Sequence, residues 1–191
     1  ENDDDQILDA VSGTTFKSTP SLLKYVVDTA KDDEFTVSGD AENTDDITLK
    51  YALGAPHGEK GFGNAVVALE GDKIIAASID EYQYLEDADT NLEDDSEFAE
   101  NYAEDNVALA SKLENDESYS DLMEEKAEAT KTIKENYEAI ENFVAGKTID
   151  EVKEVISDHE DDDSVEAVSG ATLVDTVGYL QLIVDAAESD K

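Results

Sequence analysis

Short runs of apolar and β-branched residues alternate with turn-forming residues in the first half of the chain. Such runs are typical of strands, and they cover 35–38, 47–53, 64–69 and 73–79. Glu70-Gly71-Asp72-Lys73 lies between the last two runs and predicts a hairpin turn, because glycine readily takes the positive φ that tight turns need. The pattern therefore predicts an antiparallel sheet.

The spacing changes to that of helices further along the chain. Residues 81–117 are acidic and predict a loop with a helix near 99–112. A long amphipathic helix is predicted over 120–145, and Gly146 ends it. Its apolar stripe consists of Leu122, Met123, Ile133, Tyr137, Ile140, Phe143 and Val144.

Two shorter features follow the long helix. Thr148-Ile-Asp-Glu151 matches a capping box, in which the Thr and Glu side chains bond the first backbone amides, and it predicts a helix to about residue 157. The acidic run 158–163 predicts a solvated linker.

One short unit occurs twice, and it is the strongest pattern in the chain. Residues 9–30 and 166–187 align without gaps, with ten of 22 positions identical and an offset of 157 residues. Each copy predicts a turn followed by a helix. Thr19 and Asp175 are the expected caps, and Pro20 suits the first helical position. The helix stripes are Leu22, Leu23, Val26, Val27 and Ala30 in the first copy, and Tyr179, Leu180, Ile183, Val184 and Ala187 in the second.

Together these elements predict an α+β fold: a small antiparallel sheet flanked by helices, with a helical insertion at about 95–158 before the C-terminal turn–helix. We expect residues 33–191 to form the main domain. Residues 1–32 are either the tail of a preceding repeat or a segment packed on the main domain.

The charge of the chain excludes several classes of partner. Thirteen Lys, no Arg and 51 acidic residues give a formal net charge of −38. Nucleic acids and anionic membrane surfaces are bound by clustered basic residues, so we expect neither as a partner. The sequence contains no apolar run of the roughly 18 residues that a membrane span needs.

Several familiar sites are absent from the sequence. There is no cysteine, which excludes disulfides and thiolate chemistry. The stretch from Asp87 resembles a calcium loop but has Leu92 where glycine is needed and Phe98 where glutamate is needed. The glycine-rich loop 54–63 lacks the third glycine of a dinucleotide fingerprint, because that position is Val66. We expect no metal site.

The repeated Ser-Gly-x-Thr unit has a physical use. Gly13 and Gly170 let the backbone approach a ligand closely. The following helix directs free N–H groups at an anion, and Thr15 and Thr172 place a hydroxyl beside that point. A purely structural turn is the alternative explanation.

The unit also resembles the flavin-attachment motif of the FMN-binding domain family, Asp-x-x-Ser-Gly-Ala-Thr followed by a helix. This family includes flavoprotein subunits of sodium-pumping complexes and exported flavoproteins of Gram-positive bacteria, some with tandem domains. The hairpin at Gly71-Asp72-Lys73 and the loop at His57-Gly58 are similar to the body of such domains. In the family, a flavin transferase joins the threonine hydroxyl to the FMN phosphate.

The resemblance implies specific cofactor-binding residues. Thr172 is the expected attachment residue of the second copy, framed by Ser169, Gly170 and Ala171, and His57 is expected nearby. Thr15 is its equivalent in the first copy, framed by Ser12 and Gly13. Each copy departs from the family motif once, with Glu166 in place of Asp and Thr14 in place of Ala. Thr172 is the stronger candidate.

The resemblance implies an extracellular or cell-surface FMN-binding domain that carries electrons to a redox partner, and that is matured by a flavin transferase and anchored in the full-length protein. We expect an electron carrier rather than an enzyme. The alternative is a flavin-free binding or structural module that keeps the fold. A hydrolase using Ser12 or Ser169 is a third hypothesis, although no base is placed by sequence to activate either serine.

Overall fold

A computed structural model of the 191-residue chain describes residues 18–31, 36–89, 107–159, 165, 168 and 170–190. The chain divides into two compact units, Glu1–Ser38 and Gly39–Lys191. They are described separately.

The described part of the first unit contains one helix, α1 (Thr19–Thr29). Ser18 occupies the N-cap position and Pro20 is the second helical residue, so the helix begins one residue earlier than a Thr19 cap would place it. Residues 36–38 have no regular secondary structure, so the strand predicted over 35–38 is wrong there. Residue 35 lies outside the described residues.

The second unit is built on a four-stranded antiparallel sheet in the order β1-β2-β3-β4. The strands are β1 (Ile47–Gly54), β2 (Gly61–Glu70), β3 (Lys73–Glu86) and β4 (Val107–Ser111). Glu70 pairs with Lys73 across the predicted turn, where Gly71 has a φ of +66°. The three predicted strands over 47–53, 64–69 and 73–79 are confirmed, and each is longer than the sequence indicated.

The strand β4 corrects the helix expected near 99–112. Its residues read Val-Ala-Leu-Ala-Ser and pair with Tyr82–Glu86 of β3. Alanine and leucine have high intrinsic helix propensity, which decides the structure only where tertiary contacts do not. Here the second half of β3 offers a row of backbone partners, and that tertiary pairing overrides the local preference. Residues 99–106 lie outside the described residues.

The single long helix expected over 120–145 is also wrong. Two helices occupy this stretch, α2 (Asp116–Ala127) and α3 (Ile133–Val144). Glu128 ends the first in the left-handed region, with a φ of +54°. Thr132 and Glu135 form a capping box that starts the second, so each end has its own stop or start signal.

The helix α4 (Ile149–Asp158) begins at the predicted capping box of Thr148 and Glu151, which is confirmed. The segment before it is tied to the sheet, because Ile74 N–H donates to Lys147 O (2.8 Å) and Gly146 N–H donates to Ile74 O (2.7 Å). The helix includes Asp158, the first residue of the predicted linker. Residues 160–163 lie outside the described residues.

The last helix, α5 (Thr176–Glu188), packs on β1 and β2, and α3 packs on β3. The predicted stripe of the second copy, from Tyr179 to Ala187, is buried there. The core between helices and sheet includes Ala65, Val67, Leu69, Ile74, Ile79, Ile140, Leu180 and Ile183. The opposite face of the sheet leaves large apolar side chains in solvent: Leu49, Tyr51, Leu53, Phe62, Val66 and Tyr84, here called the open face.

The predicted α+β fold, a small antiparallel sheet flanked by helices, is thus confirmed. None of the described helices has the length and apolar character needed to cross a membrane.

Candidate cofactor cleft

The second copy of the repeated unit forms a tight turn that leads to Thr172. Val165 and Val168 are both buried in the core and anchor the segment. Ala171 N–H donates to Val168 O (3.2 Å), and Gly170 has a φ of +96°. A residue with a side chain rarely takes this φ, so glycine at 170 is required by the turn itself.

Thr172 is exposed, and one buried side chain fixes its position. Asn136 on α3 is fully buried, and its Oδ1 accepts hydrogen bonds from Thr172 N (2.6 Å) and Thr172 Oγ1 (3.2 Å). Asn136 Nδ2 donates to Thr132 O (2.8 Å). The hydroxyl of Thr172 is therefore held in place from the protein side while the residue remains open to solvent.

Asp175 is the N-cap residue of α5, as predicted, but its side chain makes no capping hydrogen bond. Its Oδ2 lies 3.3 Å from His57 Nε2 instead. His57 follows Pro56 in the loop between β1 and β2. Gly178 lets this loop approach α5, because a Cβ at residue 178 would lie 2.2 Å from Pro56 O.

The surroundings of His57 determine its protonation. Lys112 Nζ, which can only donate, lies 3.2 Å from Nδ1. Lys60 Nζ lies at the same distance, 3.2 Å, from Nε2, so each ring nitrogen of His57 faces an ammonium donor. Burial lowers the pKa of His57, and the ammonium of Lys112 lowers it further, although Asp175 and Glu81 oppose this. The ring is therefore neutral near pH 7.

Lys112 and Glu81 form a buried ion pair beneath this histidine. Lys112 is 1% exposed, Glu81 is 0% exposed, and Nζ lies 3.0 Å from Glu81 Oε1. The other carboxylate oxygen accepts a hydrogen bond from the Tyr179 hydroxyl, which lies 3.3 Å from the Tyr137 hydroxyl. Burial raises the pKa of Tyr179, and the nearby Tyr137 and Glu81 raise it further. Lys112, Glu81, Tyr179 and Tyr137 thus form one connected polar network, in which the Lys112 ammonium faces His57.

These elements enclose a cleft of about 590 Å³. Its volume falls in the usual range for small-molecule sites. Three lysines and a histidine line the cleft, together with an apolar wall and two acidic residues. The lining includes His57, Lys60, Lys112, Lys126, Tyr119, Leu122, Met123, Ile133, Glu128, Thr130, Thr172, Leu173 and Asp175. In a chain with 51 acidic residues and 13 lysines, this lining is locally rich in cations.

The cleft brings together two of the residues that the sequence singled out, His57 and Thr172. Gly170 and Ala171 are not among the residues that line the cleft; a Cβ at residue 170 would lie 3.5 Å from Ala139 Cβ, and Ala171 packs against the core. Ser169, Ser12, Gly13 and Thr15 lie outside the described residues.

Sequence reasoning missed several residues of the cleft. Asn136 could have been noticed, since it is a polar residue on the apolar stripe of its helix, beside Ile133, Tyr137 and Ile140. The sequence gives no such signal for Lys112 and Glu81. Lys112 directly follows β4 and Glu81 lies on β3, so the two residues meet only because β4 pairs with β3. Among the described residues, no group of three or more histidine, aspartate or glutamate side chains is placed to hold a metal ion.

Comparisons with protein-family models, with curated proteins and with solved structures found no match to this chain.

Proposed function

We propose that this chain is an extracytosolic FMN-binding domain for electron transfer, with the flavin attached to Thr172 by a phosphoester. The observation that carries the proposal is the exposed residue Thr172 at the lining of a cation-rich cleft. A phosphoester at the Thr172 hydroxyl oxygen would place its negative charge in a cleft whose lining includes three lysines, in a chain of net charge −38.

The lining of the cleft is chemically suited to the two ends of FMN. Lys60 and Lys126 would hold the phosphate, since ammonium groups are common phosphate ligands. Tyr119, Leu122 and Met123 provide an aromatic and apolar wall for a flat ring system. Lys112 Nζ lies 4.8 Å from the centre of the Tyr119 ring, so charge and aromatic surface occur side by side.

In this proposal the flavin supplies the redox chemistry, and the chain binds it, orients it and keeps part of it from water. The buried network of Glu81, Lys112 and Tyr179 makes the base of the cleft rigid, because each of these side chains is held by a neighbour. The partners would be a flavin transferase, which makes the bond, and a redox protein at the cell surface.

The proposal is tested by co-expression with a flavin transferase of this family, followed by denaturation and in-gel flavin fluorescence. We expect fluorescence to remain with the denatured wild-type chain and to disappear in Thr172→Ala. Thr130→Ala is the matched control, because Thr130 is a second exposed threonine lining the same cleft. Mass spectrometry of the tryptic peptides locates the adduct. A wild-type chain that stays colourless with an active transferase, and that ignores added FMN, contradicts the proposal.

A flavin-free binding module is the second candidate, and the open face favours it. Leu49, Leu53 and Tyr84 are each more than 60% exposed on one side of the sheet. Exposed apolar patches of this kind mark interaction surfaces more often than isolated apolar residues do. In the same experiment this candidate predicts a folded, colourless protein whose cleft residues are insensitive to flavin.

A further inference from the structure

We propose that Asn136 is a positioning residue for the modification of Thr172: it holds the hydroxyl so that its oxygen lone pairs face the cleft. This inference rests on the proposed function, because it concerns how the attachment residue is presented to the transferase. It assigns a role to a residue outside the Ser-Gly-Ala-Thr motif, 36 positions away in sequence.

Burial of the Asn136 side chain is unfavourable unless its amide group is hydrogen-bonded. It is 0% exposed on the face of α3 that also carries Ile133, Tyr137 and Ile140. An amide buried without hydrogen bonds costs about 1–3 kcal/mol, so its partners matter. Its hydrogen-bond partners are Thr132 on its own helix and Thr172 on the turn. These two residues satisfy both the nitrogen and the oxygen of the amide.

The orientation of the Asn136 amide is fixed by chemistry. Nδ2 can only donate, and it faces Thr132 O, an acceptor (2.8 Å). Oδ1 can only accept, and it faces the N–H and the hydroxyl of Thr172. A flipped amide would set Nδ2 against the Thr172 N–H, donor against donor. Thr132 is itself held by the capping box with Glu135, so the amide is anchored to the start of a helix.

Thr172 donates two hydrogen bonds to Asn136 Oδ1, one from its backbone N–H and one from its hydroxyl. The short bond from the backbone N–H (2.6 Å) sets the position of the residue, and the longer one from Oγ1 (3.2 Å) sets the direction of the hydroxyl hydrogen. A distance of 3.2 Å is long for a hydroxyl donor, so the effect is orientation rather than strong activation. With the hydrogen directed at Asn136, both lone pairs of Oγ1 are left for an incoming electrophile.

The chemical step needs this orientation. A new bond forms between Thr172 Oγ1 and a phosphorus atom of a flavin dinucleotide, and the phosphoanhydride bond to the second phosphorus breaks. A nucleoside monophosphate leaves with the bonding electron pair, and no atom changes oxidation state. The amide oxygen of Asn136 is too weak a base to keep the hydroxyl proton, so the hydrogen leaves this hydrogen bond as the O–P bond forms and passes to a base of the transferase. Asn136 contributes geometry alone, and misplacement of a reacting group by about 1 Å costs on the order of a hundredfold in rate.

The test compares two buried substitutions on the same helix in a purified reaction with transferase and flavin dinucleotide. Asn136→Leu removes both hydrogen bonds to Thr172 with little change in volume. Ile140→Ala removes core packing one turn away, and Ile140 makes no contact that this inference uses. Thermal unfolding is measured for both variants, and the transfer reaction is run at a temperature where each is folded. We expect the turnover rate of Asn136→Leu to fall at least about tenfold, while Ile140→Ala reacts at close to the wild-type rate.

Two further measurements separate positioning from simple loss of fold. Asn136→Asp places a buried carboxyl that favours its neutral form, with an oxygen acceptor for Thr172 and an O–H donor for Thr132 O, so we expect it to recover a large part of the rate lost in Asn136→Leu. Hydrogen exchange of the Thr172 amide, which needs no flavin, should be protected in the wild type and become faster in Asn136→Leu. Because the positioning role depends on this hydrogen bond, an unprotected wild-type Thr172 amide overturns the inference.

The outcomes distinguish this inference from the proposed function. A wild-type chain that is not modified overturns both. A wild-type chain modified at Thr172 with Asn136→Leu modified equally fast overturns the inference and leaves the proposed function standing. Equal losses in Asn136→Leu and Ile140→Ala overturn it too, since they would follow stability rather than the contact with Thr172.

Discussion

Glu141 makes the stability of the fold depend on pH in a way that one substitution can isolate. Its side chain extends from α3 to the sheet, where Oε1 accepts the backbone N–H of Ile79 (2.9 Å). The strand β4 pairs with β3 only over Tyr82–Glu86, so this earlier part of β3 receives its acceptor from a side chain. Burial raises the pKa of Glu141 to about 7; the Ile79 N–H opposes the rise and the neighbouring Glu138 adds to it.

The magnitude follows from the pKa difference between the folded and unfolded chain. The ordinary pKa is 4.5 and the folded value is about 7. At about 1.4 kcal/mol for each pH unit, protonation of Glu141 favours folding by about 3 kcal/mol. Because the folded pKa is raised, this contribution is fully present below pH 4.5. It is lost as the pH rises from 4.5 to 7, where the buried side chain must ionise.

Glu141→Gln keeps an oxygen acceptor for the Ile79 N–H and cannot ionise. We therefore expect the variant and the wild type to have similar free energies of unfolding at about pH 4, whereas at about pH 8 the variant should be more stable by about 3 kcal/mol. Urea unfolding followed by circular dichroism at both pH values, and at one between them, measures the difference. Glu154→Gln is the control, because it removes one negative charge from an exposed position on the next helix, α4.

The control matters because a chain of net charge −38 gains from losing any negative charge. The Glu154 variant measures that general gain at each pH, and the excess of the Glu141 variant over it belongs to the buried site. An excess that stays constant from the acidic to the alkaline end of this range would refute the reasoning. A Glu141 variant that loses stability at the alkaline end would refute it as well.

Two other substitutions test the packing around the cleft. Lys112→Met leaves the carboxylate of Glu81 buried without its cation, so we expect a loss of about 3–5 kcal/mol in urea unfolding. The double variant with Glu81→Gln should recover most of it, because no unpaired charge remains, and a double variant as unstable as the single one contradicts the role of the ion pair. Gly178→Ala gains about 1 kcal/mol of helix propensity. Its Cβ meets Pro56 O at 2.2 Å, so we expect a net loss of about 1–2 kcal/mol, and an unchanged urea midpoint contradicts the close approach.

The parts of the fold that the sequence predicted are those with local causes. The hairpin at Gly71 and the capping box at Thr148 each depend on a few consecutive residues, and both were found. The break between α2 and α3 has a local signal as well, since Thr132 and Glu135 have capping-box spacing, but the apolar stripe on either side concealed it. The strand β4 has no local cause, because its Ala-Leu-Ala sequence becomes a strand only beside β3.

The same distinction applies to the cleft. Thr172 was predicted because a repeated motif marks it in sequence, and Gly170 has the backbone conformation that its position in the motif requires. Asn136, Lys112 and Glu81 act through contacts between residues that are at least 31 positions apart, so composition and spacing could not connect them. A polar residue on an apolar helix face, as Asn136 is, was the one available hint.

The two copies of the turn–helix unit show how far the unit itself determines its role. Both helices begin at the equivalent threonine, Thr19 in α1 and Thr176 in α5, so the local structure follows the shared sequence. Their stripes differ in burial: Val27 is 47% exposed, and its equivalent Val184 is 1% exposed. What makes the second copy a candidate site is therefore its surroundings: the sheet beneath α5, the His57 loop beside it and the buried amide behind Thr172. A test that transplants the Ser-Gly-Ala-Thr sequence alone should not transfer flavin attachment, whereas one that removes Asn136 should impair it.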